Sequence, residues 1–240
     1  MEKTQSYQNI FPTRIAARWL FWLVFCVLGI LALITLVIVF ALRQPPDFYR
    51  QVVLDSAEAE LLTRRMISKT MALSRVRDRS GPWHAVIQDQ EINAWLLVDV
   101  PKNHSDLLPE YIDSPRIQFG SGHIAIGTKM YWGFLSTTIW CRAEVWLQGV
   151  NQVVVKLLDA GAGGIPVPLD FFTRHLSSLL TDIGLTANLQ RMNGRLVLCL
   201  TPSVRDGPST TIIQLEKLAV ESGELLMAGH IQDQKKSQSQ

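Results

Sequence analysis

The sequence predicts an α+β membrane protein: an N-terminal transmembrane helix, then a long helix packed on a curved antiparallel sheet with a second inserted helix. Three observations carry that reading. Residues Trp19 to Leu42 form a run of 24 without a charge. From Asp47 to about Asp78, apolar residues recur every three or four positions, the period of a helix with one buried stripe. From Arg116 onward the period changes to two, interrupted by short glycine- or asparagine-containing turns, as in one-sided antiparallel strands.

At about 1.5 Å per residue, the uncharged run covers the ~30 Å hydrocarbon core of a bilayer with some tilt to spare. A cleaved signal peptide would carry a shorter apolar stretch, about 7–15 residues, ending at small residues. Here the run ends at Ala41-Leu42-Arg43-Gln44-Pro45-Pro46, which offers no such site. Trp19 and Trp22 at one end, and Tyr49 past the other, suit interfacial aromatic belts. Lys3, Arg14, Arg18 and the terminal amine precede the run, whereas Arg43 and Arg50 follow it. That excess predicts a cytoplasmic N-terminus. The chain then divides into a cytoplasmic segment 1–18, a transmembrane helix 19–42, an extracytoplasmic domain 43–231 and a polar, disordered tail 232–240.

Within the domain, Phe48, Val52, Ala59, Leu62, Met66, Leu73 and Val76 form the helical stripe, with Asp47 as N-cap and Gly81-Pro82 as terminator. This stripe covers a sheet or pairs with a partner helix. Pro82–Gln88 reads as a short strand and Asp89–Leu97 as a short helix capped by Asp89 and closed before Pro101. Arg116–Phe119, His123–Tyr131, Leu135–Leu147 and Gln152–Leu158 read as four strands in a meander. After the Gly161–Pro168 break, Leu169–Gly184 has a helical face of Phe172, Leu176, Leu179, Leu180 and Ile183. Two strands meet at Asn193-Gly194, a strong hairpin signal. Thr210–Val220 and Glu224–Ile231 form a final pair.

Charge excludes one class of partner. Residues 1–43 hold four of the 23 basic residues and one of the 21 acidic ones, leaving 19 bases against 20 acids beyond the anchor. A domain near −1 lacks the clustered positive charge that phosphate backbones require, so no nucleic-acid partner is expected. His84, His104, His123, His175 and His230 are scattered, with no zinc-binding spacing. Gly161-Ala-Gly-Gly is followed by Ile-Pro-Val-Pro, which fits neither phosphate loop nor dinucleotide fingerprint; its glycines and prolines set a kink. No G-x-S-x-G or S-x-x-K pattern is present. Asn103-His104-Ser105 matches a glycosylation sequon that matters only in a eukaryotic secretory setting. No catalytic residue, cofactor or metal ligand is assigned. Cys141 and Cys199 sit on unlike strand faces and read as two buried apolar thiols, with a disulfide, suited to an oxidising compartment, as the alternative.

Four segments in order, EINAWLLVDVP at 91–101, SPRIQFGSGHIAI at 114–126, GAGGIPVPL at 161–169 and ESGELLMAG at 221–229, resemble a group of planctomycete-type single-pass membrane proteins. The likeness covers roughly residues 48–231. More distantly, the order of elements is similar to YpmS-type proteins and, through them, to the tubular lipid-binding (TULIP) superfamily. That resemblance implies a long helix wrapped by a curved sheet with an apolar groove between, and a role in lipid binding or envelope maintenance. The motif residues Asn93, Trp95, Pro101, Gly164, Pro166 and Pro168 are then structural, with Asn93 and Trp95 closing one end.

A helix stripe facing a one-sided sheet encloses an apolar interior, either a filled core or a cavity for an acyl chain. In the second case Leu62, Met66, Ile124, Ile126, Met130, Val145, Val153, Val155 and Leu157 line it. The partners expected are the bilayer and a bound lipid or an envelope protein. The alternative function is a non-enzymatic scaffold that uses an exposed band of Trp132, Trp140 and Trp146.

Overall fold

The computed structural model describes residues 13–51, 55–76, 81–105, 107–108, 112–133, 135–169, 186–192, 195–201 and 211–233. The class is α+β, and the chain forms two compact units, Met1–Ala41 and Leu42–Gln240. The first unit is dominated by helix α1, Thr13–Arg43. Its apolar stretch Phe21–Arg43 is long enough to cross a membrane, and none of that stretch is buried. A core helix of a soluble protein would have its apolar side chains covered. Here Phe21, Leu28, Leu33, Leu36 and Phe40 all stand exposed.

In the second unit, the expected single helix from Asp47 to Asp78 is broken. Helix α2 spans Asp47–Gln51 and α3 spans Ser56–Val76. The interruption at Asp55 has a local cause. Its carboxylate accepts the Ser56 amide at 2.8 Å and its carbonyl accepts the Ala59 amide at 2.8 Å, so Asp55 caps a new helix instead of continuing the old one. Asp47, expected as a cap, lies inside α2; the Pro46 carbonyl accepts the first amides instead. Strand β1, Gly81–Gln88, leads directly into α4, Asp89–Val98, and the short α5, Val100–Asn103. Asp89 is not the cap of α4 either. Glu91 accepts the Gln88 amide at 3.1 Å, while Asp89 accepts the amide of Phe119 across the fold.

The expected meander is present as β2 (Asp113–Gly120), β3 (His123–Trp132), β4 (Leu135–Gly149) and β5 (Gln152–Ala162). Gly163, at a φ of +58°, turns the chain so that β6, Ile165–Pro166, folds back on β5. Strands β7 (Thr186–Met192) and β8 (Arg195–Thr201) pair with Met192 opposite Arg195. The turn residues Asn193-Gly194 and nearly all of the expected helix 169–184 lie outside the described residues. Strand β9, Thr211–Glu221, pairs with β10, Glu224–Asp233, which carries ordered structure two residues into the expected tail.

These strands form two sheets. The larger runs β2-β3-β4-β5-β8-β7, with β6 beside β5; the smaller runs β1-β10-β9. Every pairing is antiparallel. The chief packing partner of α3 is α4, with lighter contact to β1. Leu62, Ala59 and Ala94 form that helix–helix core, and Val98 packs against it. The middle of the larger sheet is also buried, at Val154, Leu157, Ala160, Val197 and Leu198. Helix α2 sits on β2 and β3. The Tyr49 hydroxyl donates to the Ser114 carbonyl at 2.7 Å, and the Arg116 guanidinium lies 4.7 Å from the Tyr49 ring centre. Gly127 makes room there, because a Cβ would lie 3.0 Å from Tyr49 and 3.1 Å from Phe48.

Candidate functional site

An antiparallel register fixes which side chains share a face, since direct partners point the same way and successive residues alternate. In the smaller sheet His84, Ala228 and Lys217 are cross-strand partners, as are Val86, Leu226 and Ala219 one pleat further on. Ala85, Met227 and Leu218 make a row on the opposite face. At the bulge between Ala228 and Gly229, Glu216 is left without a partner. These residues, with Trp146 and Leu147 of β4, line an open cleft of about 590 Å³. That volume falls within the range of small-molecule sites, and a mostly apolar lining with few polar groups is their usual composition.

The two sheets are joined at their edges by hydrogen bonds. The amide of Gly122, in the β2–β3 turn, donates to the Val220 carbonyl at 2.9 Å, and the Gly223 amide donates to the Phe119 carbonyl at 2.8 Å. At the β4–β5 turn Asn151 takes a left-handed backbone, φ 61°, which asparagine tolerates better than most residues. Its side-chain oxygen accepts the Leu215 amide at 2.6 Å and its amide nitrogen donates to the Ile213 carbonyl at 3.0 Å. Asn151 therefore grips the outer edge of β9 immediately before the Glu216 bulge that enters the cleft.

The nine residues expected to line a groove fall on two elements among the described residues, α3 and the larger sheet. Leu62 and Met66 lie on α3, where Leu62 is consumed in contact with α4. Ile124, Ile126, Met130, Val145, Val153, Val155 and Leu157 do share one face of the larger sheet, through pairs such as Val145 with Val155. That face is not the main neighbour of α3, and none of the nine lines the cleft. A second hollow, of about 310 Å³, is lined among the described residues by α3 alone, from Arg64 to Arg75. No sequence signal marked the cleft: its lining comes from β1, β4 and the β9–β10 pair, which are far apart in the chain.

Asn93, Trp95 and Pro101 sit where α4 meets β2. Asn93, 4% exposed, donates to the Ile117 carbonyl at 2.6 Å and accepts its amide at 2.8 Å. The Trp95 indole donates to Asp99 at 2.9 Å, and His104 approaches the same carboxylate at 3.4 Å. Pro101 stands in the first turn of α5, where its missing N–H costs nothing. Gly164 is an exposed turn residue, Pro166 pairs with Gly161 and Pro168 follows that pairing. The tryptophan band is not an open surface. The Trp140 indole donates to the Gly163 carbonyl at 2.8 Å and its ring covers Gly161. Trp146 faces the cleft, and the Trp132 side chain lies outside the described residues.

Cys141 and Cys199 are both free, on opposite faces of the larger sheet. Burial pushes the Cys141 thiol up to about 11, with Asp159 adding in the same direction. Burial also raises the Asp89 carboxyl, against the Phe119 and Gln90 amides that favour its charge. Among the described residues no group of three His, Cys, Asp or Glu is placed to hold a metal ion. No protein-family model, curated protein or solved structure matches the chain.

Proposed function

We propose that this chain is a single-pass membrane protein whose domain beyond the anchor lies outside the cytoplasm and holds a lipid in the cleft between β1-β10-β9 and β4, without catalysing a reaction. The observation that carries this reading is the cleft itself, about 590 Å³ and lined mostly by apolar residues, with His84, Glu216 and Lys217 among them. Water gains little in such a space, and an acyl chain placed there removes apolar surface from solvent at about 25 cal/mol per Å². The uncovered helix supports the anchoring, since most of its apolar side chains stand exposed. Its length and the lack of an A-x-A cleavage pattern at its end favour retention over cleavage, and the basic residues before it favour a cytoplasmic N-terminus.

Native mass spectrometry of the full chain, extracted from membranes in mild detergent, tests the reading. A lipid adduct is expected, and it should disappear in Ala219→Trp, which fills the cleft. A clean apo mass for the wild-type chain would count decisively against it. Protease added to intact cells should digest the domain and spare residues 1–18; the reverse pattern would invert the orientation.

A further inference from the structure

Leu42 is the last residue of the uncharged run, and it is already tied to the larger sheet. Its carbonyl, one of those a helix end leaves without an internal partner, accepts the Thr137 hydroxyl of β4 at 2.8 Å. The chain that follows is tied down again at Tyr49, which is 7% exposed. The Tyr49 hydroxyl donates to the Ser114 carbonyl, and Arg116 donates to the Tyr49 carbonyl. Between these ties the Arg50 guanidinium donates to the Pro45 carbonyl at 3.0 Å. Residues 42–50 are therefore a strap fixed to β4 and β2, not a free linker, and the strands they touch stay close to the end of the apolar run.

The β3–β4 hairpin ends beside that tie. Thr137 pairs with Met130, Ser136 with Tyr131, and Leu135 with Trp132. At about 3.4 Å per residue, the last pair stands about 6.8 Å along the hairpin from the Thr137 row. The polar layer on each side of a bilayer's hydrocarbon core is about 5–7 Å thick, so the hairpin end is within reach of it. Met130-Tyr131-Trp132 and Leu135-Ser136 carry no charge. Tyr131 is 53% exposed while its hydroxyl donates to Asp113 at 2.7 Å. An uncovered ring with a satisfied polar tip is the kind of group enriched at membrane interfaces. The Lys129 ammonium lies 5.7 Å from the centre of the same ring, and Arg43 and Arg50 are exposed on the strap, so basic groups accompany it, as suits lipid phosphates. We infer that the end of the β3–β4 hairpin lies in the interfacial layer of the bilayer, with Tyr131 among phospholipid headgroups, as a second membrane contact beside the anchor. This rests on the reading of α1 as a retained membrane helix.

The photoreactive residue p-benzoylphenylalanine tests this when it replaces Tyr131, its partner Ser136, Trp22 within the anchor, or Gln190, one at a time. Gln190 is exposed on β7. Its row runs through Val197, Lys156 and Glu144 to His123, about 27 Å along β3 from Tyr131. Each full-length variant is reconstituted in phosphatidylcholine vesicles and illuminated, and its intact mass is measured. A gain of one phosphatidylcholine is expected at 22, 131 and 136, and none at 190. The substitution at 136 leaves Tyr131 and its bond to Asp113 in place, so it serves if the variant at 131 misfolds. An adduct at 22 with none at either 131 or 136 overturns the hairpin contact and leaves the anchor standing. An adduct at 190 as abundant as that at 131 also overturns it, because lipid then meets the domain without preference for the hairpin. No adduct at 22 overturns the anchor and this inference with it.

Discussion

Asn93 and Asn151 perform the same task at two sheet edges. Each presents its side-chain amide to a strand as though it were one more peptide, accepting one N–H and donating to one carbonyl. Truncation removes two bonds and leaves two strand groups unpaired, so Asn93→Ala should cost about 2–3 kcal/mol, read as a lower denaturation midpoint. A change within error would mean water replaces the amide. Glu91, 2% exposed, accepts both Lys69 at 2.7 Å and the Gln88 amide. Removing Lys69 leaves that carboxylate buried with one partner fewer. The usual cost of breaking a buried pair is about 3–5 kcal/mol, but Lys69 is 39% exposed, so Lys69→Met should cost less, about 1–2 kcal/mol. Cys141 makes a pH prediction. Its folded value of about 11 lies above the ordinary 9.0, so the unfolded chain loses this proton first. Stability is unaffected by the group below pH 9, falls as pH rises from about 9 to about 11, and levels beyond. Replacing Cys141 by Ala should remove that component from the alkaline limb of a melting-temperature profile. Most of these partners are not readable from sequence, because they join positions on different elements; the Glu91 contact to Gln88, three residues away, is the local exception, and Asn93 was legible only as a member of a motif.

At the scale of elements, period and turn chemistry identified nearly every strand, because one-sided burial leaves an alternation that a single sequence displays. The same logic joined α2 to α3. The stripe of apolar residues continues through Asp55, and a periodic pattern does not register a cap that resets the helix. Asp55→Ala should therefore destabilise α3 by about 1 kcal/mol; helicity unchanged by circular dichroism, with an unchanged midpoint, would show that packing on α4 alone sets the boundary. The Gly161–Pro168 segment was legible as a kink but not as a strand reversal. Its cause lies in a neighbour, the Trp140 ring. A Cβ at residue 161 would lie 2.7 Å from that ring and 2.8 Å from the Ile165 carbonyl oxygen. Gly161→Ala should cost about 1–3 kcal/mol, as overpacking does, and should expose Trp140, seen as a red-shifted emission. Bulges at Ala228/Gly229 and Arg142/Ala143 had no sequence signal, yet the first creates the unpartnered Glu216.

For the whole molecule, the α+β class and the membrane-length helix were legible, since both rest on local composition. The division into two sheets was not. It depends on β10 choosing β1, more than 130 residues earlier in the chain, as its partner, and nothing in either strand announces that choice. The packing of the long helix follows from this. A helix stripe and a one-sided sheet were expected to face each other, whereas α3 packs chiefly on α4, and an open cleft lies beside the smaller sheet and β4. The central claim is that this space holds an acyl chain. Membranes containing the protein are loaded with a lipid carrying a diazirine on its acyl chain and illuminated, and the labelled peptides are mapped. Label on segments 84–86, 146–147, 216–219 and 226–228 is the predicted result; label confined to the helix Phe21–Arg43 would contradict the account.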